Sequence, residues 1–135
     1  MSKARLDPAM AVTFRFPSLL TLFVGRVISA HQALTIEGWD EQTGPSRYTS
    51  EELAQLRGEL AGPKGFRQII AAIVSLAFLD IPADASAYWV VKQTREMTGE
   101  RISLGAAIVA AVVLGYRPDR EAFGPDCTFL PRWPK

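Results

Sequence analysis

Strict alternation of apolar and polar side chains appears in one stretch near the start of the chain. Val12, Phe14 and Phe16 are separated by Thr13 and Arg15, the period of two of a half-buried strand, and Pro17 closes it. Beyond Pro17 the period becomes helical. Ser18 stands where an N-cap belongs, and Leu20, Phe23, Val27, Ala30 and Leu34 follow at helical spacing, predicting a helix over residues 18–35 with those side chains inward. The acidic, turn-rich residues that follow, Glu37, Gly38, Trp39, Asp40, Glu41 and onward, read as a surface loop over residues 37–48.

Thr49 with Glu52 three residues on forms a capping box, opening a helix over residues 50–60 that presents Leu53, Leu56 and Leu60 on one face. Gly62 and Pro63 stop it. A third helix runs from residue 64 to about 79, with charged or amide side chains only in its first turn at Lys64, Arg67 and Gln68 and a nearly all-apolar remainder. After Asp80 and Pro82 a fourth spans residues 83–97 and ends at Thr98 and Gly99. Ser103 caps a fifth, residues 104–114, with Gly115 just past its end. The tail over residues 116–135 holds four prolines and reads as two extended pieces, 116–121 and 127–130, around a turn at Phe123-Gly124-Pro125-Asp126. The expected fold is mainly α, of the α+β kind: about five helices with a small antiparallel sheet made from the N-terminal strand and the C-terminal hairpin. All 135 residues form one domain, with residues 1–10 a flexible N-terminus. The segment Ala71-Ala72-Ile73-Val74 recurs as Ala106-Ala107-Ile108-Val109, but the flanks do not continue the match, so it marks two similar core helices and no repeat.

Composition narrows the function. Lys and Arg number 15 against 14 Asp and Glu, so binding to nucleic acid or an anionic surface has to come from a local basic patch. Only 21% of the residues are charged, which leaves a thinly charged surface of the kind another protein covers. One cysteine and one histidine supply neither a disulfide nor a zinc site, and no metal or other cofactor is expected. Cys127 has no Lys or His beside it in sequence and reads as a packed thiol, and His31 as a packed or surface residue. The apolar run at residues 19–24 is too short for a secretory signal. The runs at 69–79 and 102–116 fall short of the roughly 18–20 residues a bilayer needs, so a cytoplasmic protein without a membrane partner is expected.

No phosphate loop, nucleophile elbow or metal-binding pair is present, and the adjacent carboxylates Asp40 with Glu41 and Glu51 with Glu52 suit a loop and a helix start. Two binding readings remain. The first is a non-enzymatic module acting through protein contact, with itself or another protein as partner; its anchors are Trp39 and Trp133 and its interface helix carries Leu104, Ile108 and Val112. The second is a DNA-binding regulator of winged helix-turn-helix type, from the order helix, turn, capped helix, hairpin after residue 83. There Arg95, Arg101, Arg117, Arg120 and Arg132 meet phosphates, while the helix over 104–114 lacks every side chain that reads base edges. Residues 50–56 are also similar to the opening helix of helix-turn-helix units, which sets Lys64, Arg67 and Gln68 at the head of a reading helix. An enzyme whose site is assembled from distant residues is the third reading.

Overall fold

A computed structural model of the chain describes residues 17–40, 46–120 and 124–130. Among them are five helices: α1 (Pro17–Ala30), α2 (Ser50–Ala61), α3 (Pro63–Leu76), α4 (Ala87–Thr98) and α5 (Leu104–Val113). Two small antiparallel sheets accompany them, β1 (Leu34–Thr35) with β2 (Gly38–Trp39), and β3 (Arg117–Asp119) with β4 (Thr128–Leu130). The strand expected at residues 11–16 and the N-terminal ten residues lie outside the described part. No described helix is long and apolar enough to cross a membrane.

Helix α5 is the centre of the fold. Its sequence has no polar side chain, and Gly105 through Ala111 are fully enclosed, as an all-apolar helix in water requires. Helices α1, α3 and α4 pack on it together with β2 and β3. It starts at Ser103, whose Oγ accepts from the Ala106 N–H at 3.1 Å, and ends where Gly115 takes a positive φ of 97°. Gly105 is where the first hairpin touches it: the Gly105 N–H donates to the Ile36 carbonyl at 3.2 Å, and a Cβ on Gly105 would land on the Thr35 carbonyl oxygen.

The capping box that opens α2 is present in both directions. Thr49 Oγ1 accepts from the Glu52 N–H at 3.1 Å, and Glu52 Oε1 accepts from the Thr49 N–H at 3.0 Å. Gly62 then serves as the C-cap of α2 and the N-cap of α3, with Pro63 in the first turn of α3, one residue before the start expected at Lys64.

Three expectations change. Helix α1 ends at Ala30, five residues early, because Leu34 and Thr35 turn into the β1–β2 hairpin and Arg57 of α2 binds the freed carbonyls. Its Nη1 donates to His31 O at 2.7 Å and Leu34 O at 2.8 Å, and its Nη2 to Ile28 O at 2.6 Å. These charge-assisted bonds satisfy acceptors that continued helix would have used. The buried face of α1 is Leu20, Val24 and Ile28, not the face through Phe23 and Ala30; Phe23 is 42% exposed. Lastly α4 starts at Ala87 rather than residue 83. Ser86 is extended and bridges Thr128 of β4, and the Ala87 N–H meets Cys127 O and Asp126 Oδ1, both at 2.9 Å, while the residues before it form a turn in which the Ala85 N–H donates to Pro82 O at 3.1 Å and Asp84 takes a φ of 67°.

Two glycine substitutions should move stability in opposite directions. Gly105→Ala has to force α5 and the hairpin apart and should destabilise by at least about 3 kcal/mol, the upper end for overpacking. Gly58 sits inside α2 with nothing within 4 Å of a built Cβ, so Gly58→Ala should stabilise by about 1 kcal/mol from helix propensity. Urea midpoints read by circular dichroism check both.

Candidate functional site

The residues singled out in the sequence divide among three places. Trp39, expected as an exposed anchor, is 3% exposed, and the loop expected over residues 37–48 begins with a turn at exposed Glu37 followed by the buried strand Gly38–Trp39 and buried Asp40. Thr35 holds that turn: its Oγ1 donates to Gly38 O at 3.1 Å and accepts from the Glu37 N–H at 3.1 Å, with Gly38 at a φ of 102°. The Trp39 N–H donates to Pro125 O at 3.0 Å, docking the second hairpin's loop on the first. Asp40 accepts from the Ser46 hydroxyl.

Arg120 belongs to this assembly and faces inward. Its guanidinium carbon lies 4.2 Å above the Trp39 ring, and its Nη2 donates to the Asp40 carbonyl at 2.8 Å. Stacked and bonded in this way, half-buried Arg120 is a brace between the two hairpins. On the same indole His31 packs edge-on, 5.5 Å between centroids. Burial pushes the Cys127 thiol up to about 11, opposed by smaller pulls from Trp39 and Arg120. The indole N–H has no hydrogen-bond partner of good geometry, so its contact with the Cys127 sulfur is a weak one. At neutral pH the thiol is protonated, which suits packing and not nucleophilic attack.

At the second place, the head of α3 meets the α4–α5 connection. Arg67 pairs with Glu100, Nη2 to Oε1 at 2.7 Å, and Gln68 Oε1 accepts from the Ser103 N–H at 2.8 Å. Gln68 thus orients the start of α5, and the carboxylate offsets Arg67. Lys64, Arg95 and Arg101 are exposed. Arg117, also exposed, follows the far end of α5, and ten residues of helix put about 15 Å between the two ends. The basic residues are therefore spread over the molecule. Ile108, expected at an interface, is 0% exposed and belongs to the core, while Leu104 and Val112 are half-buried at its margin. With α5 enclosed, it cannot enter a DNA groove. Arg132 and Trp133 lie outside the described residues.

The third place was not singled out from sequence. The outer side of α1 exposes Leu19 at 40%, Leu22 at 47% and Phe23 at 42%, beside a shallow groove along Gly25, Arg26 and Ser29. Its signal was legible in part: Gly25 stands inside a helix with nothing within 4 Å of a built Cβ, so the fold makes no use of the missing side chain. Among the described residues no group of three or more His, Cys, Asp or Glu is placed to hold a metal ion.

His31 gives this region a pH dependence. Burial first, and then the positive charge of Arg120, lower its pKa from 6.5. The folded state therefore prefers the neutral ring: stability is complete above 6.5 and declines as the pH falls from 6.5 toward the lowered folded-state value. Urea midpoints at pH 7.5 and about pH 5 should show a smaller drop for His31→Gln than for the parent chain.

No protein-family model, no curated protein and no solved structure matches this chain.

Proposed function

We propose that the chain is a small non-enzymatic binding or regulatory protein that works through protein–protein contact, a second copy or another protein being the partner, and that α1 carries the contact. The observation behind this reading is the exposure of Leu19, Leu22 and Phe23 on a helix whose opposite side packs in the core. Each keeps about half of its surface in water, so burying all three is worth roughly 3 kcal/mol of transfer free energy. That is enough for a weak, reversible contact and too little for a permanent one. Arg26 is the one charged residue in α1, so the face presents little that has to be desolvated.

A second reading, a DNA-binding regulator, draws on the element order from α4 to β4 and on exposed Lys64, Arg95, Arg101 and Arg117. With α5 enclosed, it would act through phosphate contacts alone.

Sedimentation velocity across a concentration series separates the readings. The parent chain should shift above its 14.8 kDa monomer as concentration rises. Leu22→Asp, at an exposed position, should stay monomeric with an unchanged circular dichroism spectrum. A parent chain that remains monomeric throughout removes self-association, and association unaltered by Leu22→Asp removes α1 as its surface. Affinity for duplex DNA falling with a log–log salt slope of about −4 would favour the second reading.

A further inference from the structure

We propose that the cleft between the α2–α3 corner and the start of α5 binds a small zwitterion, from a free amino acid to a dipeptide in size. The site shares no residue with the exposed face of α1. Its volume is about 670 Å³, within the range of small-ligand sites. Its lining includes Gln55, Gly58 and Glu59 of α2, Lys64 and Gln68 of α3, and Ser103 at the head of α5.

The two walls differ in chemistry. On the α3–α5 wall, Gln68 has its Oε1 taken by the Ser103 N–H, which leaves the amide NH₂ as the group it can offer. Ser103 Oγ accepts from the Ala106 N–H, so its hydroxyl hydrogen is the part left to donate. Lys64 adds an ammonium with three donors. That wall is a set of donors suited to a carboxylate. On the α2 wall Glu59 brings a carboxylate, an acceptor suited to an ammonium, and Gln55 an amide that serves either partner. A compact molecule carrying both charges satisfies both walls, whereas a simple anion or cation leaves one of them facing its own kind.

Gly58 is the independent observation. Glycine is the least favourable residue after proline in a helix interior, and neither a positive φ nor a close neighbour requires it here. Its missing side chain is what holds the α2 wall open between Gln55 and Glu59. A bound molecule resting against the α2 backbone accounts for glycine at a position where the fold accepts any side chain.

Isothermal titration calorimetry on the full chain with alanyl-alanine, its N-acetyl derivative and its C-terminal amide tests the proposal. The free dipeptide should bind at least tenfold more tightly than either blocked form. Glu59→Gln should erase the discrimination against the acetylated form, and Lys64→Gln that against the amide. Gly58→Leu, which has open space for its side chain, should abolish binding with the melting temperature maintained. No binding at millimolar concentration overturns the proposal, as does equal binding of the three ligands. Binding that survives Gly58→Leu removes the cleft as the site.

Discussion

A ten-residue helix without a polar side chain has no face to give to water, and α5 imposes this condition on everything around it. Three helices and strands from both hairpins are needed to enclose it. Small residues make the enclosure close: Gly105, Ala106, Ala107, Ala110 and Ala111 let neighbouring backbones approach, and at Gly105 the first hairpin lies directly against the helix. The polar atoms of that hairpin then have to be satisfied where water is scarce. Gly105 meets the Ile36 carbonyl, the Ile36 N–H reaches Leu56 O at 3.3 Å, and Arg57 collects three carbonyls at the end of α1.

The same enclosure divides the candidate functional residues. A helix that fills the core is lost as a DNA reader, and Ile108 is lost as an interface residue. Arg120 is drawn inward to brace Trp39, and Gln68 to orient the head of α5. What remains outside is the far side of α1 and the cleft beside α2, each opened by a helix-interior glycine for which the fold itself has no use.

Local rules explain what was legible. The capping box of Thr49 and Glu52, the cap at Ser103, the left-handed Gly99 after α4 and the Gly115 stop after α5 are all settled by atoms a few residues apart, and each stands where the sequence places it. The inward face of α1 could not be read in this way. Thr21, Gly25 and Ser29 mark only a narrow polar side, and Leu19, Leu20, Leu22, Phe23, Val24, Val27 and Ile28 occupy most of the rest, so packing against α5 chose Leu20, Val24 and Ile28. Trp39 was misread for a related reason: its acidic neighbours resemble a surface loop, and of the groups packed against it only His31 is near in sequence, while Arg120 and Pro125 come from the far end of the chain.

By itself, then, the sequence determined the helical class, four of the five helices to within a few residues at each end and the C-terminal hairpin, while leaving open whether the apolar 104–114 helix fills the core or an interface. Those follow from caps, periodicity and the cost of apolar surface, all of which act over one or two turns of chain. Tertiary structure decided where α1 stops, which of its faces is spent on the core, and which basic side chains stay in water. These outcomes depend on competition for the same acceptors and the same buried space by residues 20 to 90 positions apart, as Arg57 with Ile28 and Arg120 with Trp39 show.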